Sequence, residues 1–432
     1  MPGAVKHGRA KIGLALAGGG PLGAIYEIGA LCALEDSLHG LDFTQLDHYV
    51  GVSAGGFIAA GLANGIAPRA LCSLFIQSDD QKSTLGNPPH ETFDPTLLME
   101  PASSEFARRA IMLPGLLMSA WWRLLVERKP VMNALERLGA ALPTGVFSNR
   151  LIDVQLAKLF SAPGRTNDFR LLKSKLTLVA TNLDNAESVA FGRPGWEHVP
   201  ISQAVQASAA LPGLFPPVEI DDHYFVDGAL IKTMHASVAM DDGVDLMLCL
   251  NPLVPFDATS PATPKVMRRG LAKPLQRIPR IVDGGLPAVL SQTFRALINS
   301  RMDLGLKAYQ STYPHTDIIL IEPDHRDPTL FLANTFSYAQ RREMAEHAYQ
   351  CTRQMLRSKQ TGISAKLVRH GISLNHAALN DANAFLIKPV PPPTRVGRSI
   401  ASLQEIMDDL GDVVRHSGAV AAGATPAVPA LA

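Results

Sequence analysis

The sequence predicts an α/β fold in which helices cover both faces of a mainly parallel sheet. Short apolar runs without polar alternation lie at 12–17, 176–181, 246–250 and 317–321, and segments of helical periodicity separate them. Strands of a parallel sheet are buried on both faces and have this continuous apolar pattern, whereas half-exposed strands alternate. We therefore expect a three-layer α/β/α core, with extra helices in the C-terminal part.

Two consecutive strand-turn-helix units are predicted near the start of the chain. The segments GAIYEIGALCALED (23–36) and AGGFIAAGLANG (54–65) have the composition of buried helices, and each follows an apolar strand and a glycine-containing turn. In open α/β sheets, chemistry is located at the carboxyl ends of the strands. The two turns are therefore the first places to look for functional residues.

The C-terminal part is predicted to be mainly helical. A four-residue repeat of apolar residues indicates a long helix with a core-facing stripe, at Leu286, Leu290, Phe294, Ile298, Met302 and Leu306. A second helix is predicted over 338–359. Beyond it, KPVPPPT (388–394) is typical of an extended linker, 400–414 of an amphipathic helix, and 418–432 of a disordered tail.

Composition and charge exclude several classes of protein. The 432 residues carry a formal net charge of +1, which gives no bulk attraction to nucleic acid, so we expect no nucleic-acid partner. The four cysteines lie far apart without a CxxC pair, which favours reduced thiols and predicts no metal site.

Membrane insertion and secretion are not predicted. No apolar run precedes the first strand, so we expect no cleaved secretory signal and a cytoplasmic protein. The longest apolar stretch, 111–126, contains Arg123 and is shorter than the ~20 residues that a membrane-spanning helix needs.

The first turn contains three consecutive glycines. Gly18, Gly20 and Gly23 satisfy the pattern GxGxxG, which between a strand and a helix is a dinucleotide-binding fingerprint. That hypothesis also requires an acidic residue at the end of a second strand. Asp36 falls inside the predicted helix and Asp47 precedes the strand, so the requirement is not met.

The second turn contains the pentapeptide GVSAG, from Gly51 to Gly55, with Ser53 at its centre. A GxSxG sequence between a strand and a helix is typical of a nucleophile elbow, in which flanking glycines make room for an exposed serine hydroxyl. The alternative is an ordinary tight turn, since the pattern is common by chance.

The two turns together suggest acyl transfer. A serine nucleophile generates a tetrahedral oxyanion, and backbone N–H groups in a fixed loop stabilise such an anion. Gly18, Gly19 and Gly20 have no side chains to block a close approach, and the following helix N-terminus adds a favourable dipole. We therefore predict an oxyanion hole at these glycines.

The general base is less clear from the residues alone. His235, His315 and His325 are available for a Ser-His-Asp arrangement, but none lies in a motif of its own. Asp227 does, in YFVDGAL (224–230). Its alternative interpretation is structural, because Asp-Gly between apolar runs is a strong signal of a hairpin turn.

Five segments in this order resemble the patatin-like phospholipases: the glycine turn, GVSAG, ATNLDNAESVAFG (180–192), ASAALPGLFPP (207–217) and DGA, over 12–252. The resemblance implies a patatin-like core and a lipid ester substrate, with no cofactor and no metal. It also implies a catalytic dyad of Ser53 and Asp227 without histidine, and an oxyanion hole at Gly18, Gly19 and Gly20.

The chain departs from the resemblance at one position. Many relatives carry Arg or Lys two residues after the third glycine, where this chain has Leu22. The main hypothesis is a phospholipase-type lipid acyl hydrolase. The alternatives are a neutral-lipid, thioester or polyester hydrolase with the same dyad, and an inactive lipid-binding relative.

The expected domain organisation has four parts. They are a flexible N-terminus at 1–10, a catalytic core with a candidate lid (104–130) at 11–255, a C-terminal part at 256–388 that completes or covers the core, and the linker, helix and tail at 389–432.

Two segments are candidates for contact with a membrane or lipid-droplet surface. The candidate lid combines Trp121 and Trp122 with flanking arginines, a composition typical of the membrane interface. Its alternative is a buried cap over the site. The segment 264–280 has six basic residues and no acid, and its alternative is a solvated loop.

Overall fold

The computed structural model describes residues 9–76, 100–125, 142–259, 280–332 and 338–387. The chain divides into two compact units, 1–386 and 387–432, and Ile387 is the one described residue of the second unit. The predicted linker, amphipathic helix and tail lie outside the described residues. So do 264–279 of the basic segment and 126–130 of the candidate lid.

The described residues contain ten strands. They are β1 (Ile12–Leu16), β2 (Leu38–His39), β3 (His48–Val52), β4 (Lys175–Asn182), β5 (Ser188–Phe191), β6 (Val218–Ile220), β7 (His223–Asp227), β8 (Leu246–Leu250), β9 (Asp317–Ile321) and β10 (Ser373–Leu374). Eight of them form the main sheet in the order β6-β7-β4-β3-β1-β8-β9, with β5 also paired to β4, and β2 pairs with β10.

Twelve α-helices lie in the described residues. They are α1 (Gly20–Ser37), α2 (Ala54–Ala63), α3 (Pro68–Phe75), α4 (Ser103–Leu125), α5 (Arg150–Phe160), α6 (Ile201–Ser208), α7 (Ser237–Asp241), α8 (Gly285–Thr312), α9 (Pro328–Leu332), α10 (Tyr338–Ser358), α11 (Gln360–Arg369) and α12 (His376–Asn380). No helix among the described residues is long and apolar enough to cross a bilayer.

The centre of the sheet is parallel, which confirms the predicted fold class. Strands β4, β3, β1, β8 and β9 run in the same direction, and each apolar run of the sequence forms one of them or part of one. Strands β5, β6 and β7 are antiparallel and were not predicted, because they are short and partly exposed.

Helices cover both faces of the sheet in the three-layer arrangement. On one face, Ala15, Val50, Met247 and Cys249 of the central strands pack against Met302 of α8 within a single buried cluster. The C-terminal part also contributes β9 to the sheet.

The predicted core stripe of α8 is wrong in its first half. Met302 is buried and Leu306 packs against the core, but Leu290 is 44% exposed and Phe294 is 47% exposed. The four-residue repeat correctly predicted a helix. The period of the apolar residues predicts which face of a helix they share. It does not predict how far along the helix other parts of the fold pack against that face.

Helix α1 packs closely against α10. A Cβ atom built on Gly29 of α1 would overlap the carbonyl oxygen of Ala345 and lie 2.9 Å from Cβ of Ala348, both on α10. Glycine at this position therefore sets the distance between the two helices. Because α1 begins at the glycine turn, this contact also fixes the position of that turn.

We expect Gly29→Ala to lower the free energy of unfolding by about 1–3 kcal/mol, because the backbone of α10 must move away. The matched control is Gly305→Ala in α8, where a Cβ atom meets nothing within 4 Å. Alanine there should stabilise the helix by up to about 1 kcal/mol. Chemical denaturation of both variants is the measurement, and equal effects would contradict the close approach of α1 and α10.

Candidate active site

Ser53 lies at a sharp turn between β3 and α2. Its backbone has φ +53° and ψ −125°, a conformation that costs a residue with a side chain about 1–3 kcal/mol. A Cβ atom on Gly51 would lie 2.9 Å from Cβ of Ala59, and one on Gly55 would lie 2.6 Å from the Ala17 oxygen. The GxSxG pattern thus forms a tight, strained strand-to-helix turn, which is the backbone geometry that a nucleophile elbow requires.

The strained turn is held by a serine that the sequence analysis did not single out. The Ser53 N–H donates to Oγ of Ser208 at 2.8 Å, and the Ser208 hydroxyl donates to the Val179 carbonyl at 2.6 Å. Ser208 is the last residue of α6 and is fully buried. It lies within the ASAALPGLFPP segment, but its partners are distant in sequence, so no local signal revealed this role.

Asp227 lies at the end of β7 and is followed by a single 3-10 turn, Gly228–Leu230. Its carboxylate accepts the Ala229 N–H at 2.8 Å, and the Ser53 side chain lies close enough to lower the pKa of this carboxyl. The Asp227 N–H donates to the Ala210 carbonyl at 3.0 Å. The Asp-Gly pair is therefore not a hairpin turn, and the structure brings Asp227 and Ser53 together.

The carboxyl of Asp227 binds a proton more tightly in the folded protein than a free aspartate does in water. Burial raises the pKa of Asp227 to about 6, although the hydrogen bonds from Ser53 and Ala229 act in the opposite direction. Only 3% of the residue is exposed. The result is a carboxylate that is a stronger base than a free aspartate and is still ionised at neutral pH.

The glycine turn lies directly beside the elbow. A Cβ atom on Gly18 would be 3.2 Å from Cβ of Ser53, so a larger residue would crowd the serine. The Gly18 N–H makes a long hydrogen bond, 3.4 Å, to the Thr233 carbonyl. Gly20 has φ +59° and begins α1. Within the described part of the chain, the N–H groups of Gly19 and Gly20 donate no backbone hydrogen bond.

The candidate histidines do not join this cluster. His235 is buried and makes a hydrogen bond to the backbone of Gly228, and burial lowers the pKa of His235 to about 4. His315 is exposed and His325 is half-buried. Across the described ranges, no histidine nitrogen is recorded in a hydrogen bond with Ser53 or with Asp227.

A comparison with family models identifies the class of protein. The model described as patatin-like phospholipase matches residues 14–240, which is more than half of the chain. The chain therefore belongs to the patatin-like phospholipase family. The match contains the glycine turn, the elbow and Asp227.

Solved structures that are similar to this chain include VipD and ExoU. VipD from Legionella pneumophila is 17% identical, with a TM-score of 0.35, and the match covers 81% of this chain and 67% of that one. The type III effector protein ExoU is 16% identical, with a TM-score of 0.33, and the match covers 82% of this chain and 54% of that one.

The buried carboxyl predicts a pH-dependent stability. Because the pKa of Asp227 is higher in the folded chain than in the unfolded one, the folded state binds more protons between about pH 4 and pH 6. The ionisation of Asp227 therefore lowers the free energy of unfolding as the pH rises through this range. Asp227→Asn should remove a cost on the order of 1–3 kcal/mol at pH 8.

Denaturation curves of wild type and Asp227→Asn at pH 4, 6 and 8 measure this difference. Asp303→Asn, which removes an exposed carboxylate on α8, is the matched control and should follow the wild type. A constant difference between Asp227→Asn and wild type across the three pH values would contradict the buried, shifted carboxyl.

Proposed function

We propose that the protein is a lipid acyl hydrolase that cleaves carboxylic ester bonds through a dyad of Ser53 and Asp227. The observation that carries the proposal is the position of the Ser53 side chain, at a strained turn, beside the buried Asp227 carboxylate across β4. Membership of the patatin-like phospholipase family supports the substrate class.

In the proposed reaction, the Ser53 hydroxyl attacks the ester carbonyl carbon while Asp227 accepts the hydroxyl proton. Asp227 then returns that proton to the leaving alcohol, and the acyl group remains bonded to Ser53. A water molecule next attacks the acyl-enzyme. Asp227 takes a proton from this water and delivers it to Oγ of Ser53 as the fatty acid leaves.

The glycine turn is the proposed oxyanion hole. The N–H groups of Gly19 and Gly20 are its best donors, since the N–H of Gly18 already contacts Thr233. Gly18 then serves mainly to admit the substrate carbonyl beside Ser53, because it carries no side chain. The N-terminus of α1 adds its dipole at the same point.

A second candidate function uses the same dyad on neutral lipids, thioesters or polyesters. The observation that favours it is Leu22, which places a half-buried apolar side chain in the first turn of α1, where many relatives have a cation. A hydrolysis panel that includes anionic phospholipid, zwitterionic phospholipid and triacylglycerol separates the two candidates. Preference for triacylglycerol would favour the second.

Helix α4 is the proposed contact with the lipid surface. It is part of the candidate lid, and large apolar side chains on it are exposed: Phe106, Ile111, Met112, Leu113, Leu117, Met118 and Trp122. Exposed apolar groups on a helix that cannot span a bilayer are typical of interfacial binding. Contact with a membrane or lipid droplet would bring the ester to the elbow.

The dyad is tested with a fluorophosphonate probe and peptide mapping. We expect labelling of wild type at Ser53 and no labelling of Ser53→Ala. In Asp227→Asn, labelling and ester hydrolysis should fall by about 10²–10⁴-fold, the usual contribution of a general base. His235→Gln is the control that separates a dyad from a triad, and it should retain most activity. No labelling of folded wild type in the presence of lipid micelles would favour the inactive lipid-binding relative.

The interfacial role of α4 is tested with Ile111→Ser/Met118→Ser/Trp122→Ser, since these side chains are 80%, 74% and 62% exposed. We expect at least about tenfold slower hydrolysis of vesicle lipid and unchanged hydrolysis of a short, water-soluble ester. Leu171→Ser changes an apolar residue outside α4 that is 71% exposed and should alter neither rate. Equal loss on both substrates would argue against a surface-binding role.

A further inference from the structure

Three side chains with metal-binding atoms converge at a second place in the fold. Asp327, His347 and Cys351 each direct one such atom to a common point, and these atoms all lie within 4.8 Å of one another. Oδ2 of Asp327 lies 2.5 Å from Nε2 of His347. Sγ of Cys351 lies 3.4 Å from the same nitrogen and 3.9 Å from the same oxygen.

Secondary structure fixes all three residues. His347 and Cys351 are four residues apart on α10, so they lie on the same face of that helix. Asp327 immediately precedes α9, and its Oδ1 accepts the Thr329 N–H at 3.0 Å. That hydrogen bond orients the carboxylate, so Oδ2 is turned towards His347.

The geometry differs from that of a catalytic Cys-His-Asp relay. In a relay, the carboxylate holds one ring nitrogen and the thiol contacts the other. Here, both groups are nearest to Nε2 of His347, since Sγ of Cys351 is 3.4 Å from Nε2 and 4.0 Å from Nδ1. The oxygen of Asp327 and the sulfur of Cys351 therefore lie around the same nitrogen of His347, an arrangement that suits cation binding better than a proton relay.

The separations are close to those of a tetrahedral site. Bond lengths of zinc to nitrogen, oxygen and sulfur place neighbouring ligand atoms roughly 3.3–3.6 Å apart. The two distances from Cys351 already lie near this range. Only the contact between His347 and Asp327 must open, by about 0.8 Å, as a cation replaces the proton between them.

We propose that Asp327, His347 and Cys351 bind one divalent cation of the zinc class, with a fourth position left for water or another ligand. Thiolate and imidazole donors select Zn²⁺ and related ions, whereas Mg²⁺ and Ca²⁺ prefer all-oxygen sites. On binding, the Cys351 thiol and the His347 ring each release a proton to solvent. The cation then joins these two ligands of α10 to the segment that follows β9.

This site is independent of the proposed ester hydrolysis, and its consequence is structural. Helix α10 packs against α1, and α1 begins at the glycine turn beside Ser53. A cation that ties α10 to the β9 edge would therefore stiffen the layer that supports the turn. The sequence predicted no metal site because the cysteines form no CxxC pair, whereas these three residues are a His-x₃-Cys pair and an aspartate twenty residues earlier.

The test is titration of the full chain, stripped by a chelator, with Co²⁺. We expect one equivalent to bind with a thiolate-to-cobalt charge-transfer absorption, and Zn²⁺ but not Mg²⁺ to displace it. Cys351→Ser should lose this absorption, and His347→Gln should bind at least about tenfold more weakly. His370→Gln is the matched control, because His370 also pairs with an aspartate, Asp317 at 2.8 Å, and should bind like wild type.

A measurement on wild type alone avoids the question of folding in the variants. Zn²⁺ should slow alkylation of Cys351, mapped by mass spectrometry, while the buried cysteines Cys32, Cys72 and Cys249 serve as internal references. The proposal is overturned if Co²⁺ gives no charge-transfer band with wild type, if the band persists in Cys351→Ser, or if Zn²⁺ leaves the alkylation rate unchanged.

Discussion

The contact between Ser53 and the buried Asp227 carboxylate is the constraint on which the rest of the site depends. Both groups are held in unfavourable states: Ser53 has a positive φ, and Asp227 is removed from water. Such strain persists only where surrounding structure over-determines it. Here, two hydrogen bonds hold the backbone: the Ser53 N–H donates to the Ser208 hydroxyl, and the Asp227 N–H donates to the Ala210 carbonyl.

Strand register explains how one contact can join residues so far apart in sequence. Val52 of β3 pairs with Val179 of β4, and Ala180, the next residue of β4, pairs with Asp227. Ser53 and Asp227 therefore flank β4 at the same level, although β7 runs antiparallel to it. On the other side of β3, Leu16 of β1 pairs with Gly51. Two residues further along both strands, Gly18 of the glycine turn therefore lies level with Ser53.

Local patterns predicted the parts of this arrangement that local chemistry determines. Continuous apolar runs predicted the parallel strands, and the glycines around Ser53 predicted the tight strand-to-helix turn, because close backbone approach excludes other residues there. The rest depends on long-range register. An Asp-Gly pair suits a hairpin as well as the 3-10 turn after Asp227, and nothing in α6 distinguishes Ser208 from an ordinary helix residue. The exposed half of α8 and the cluster around His347 were missed for the same reason.

The pKa of Asp227 supports the proposed dyad, which contains no histidine. A free aspartate at neutral pH is a weak base, because its pKa lies about three units below the pH. Burial brings the pKa of Asp227 to about 6, so most of the carboxylate remains ionised at pH 7 while its affinity for a proton increases roughly a hundredfold. A general base is most effective when its pKa lies near the operating pH. In the proposed dyad, burial therefore gives Asp227 a pKa close to that of a histidine. The same burial destabilises the charged state, and a close hydroxyl at Ser53 offsets part of that cost.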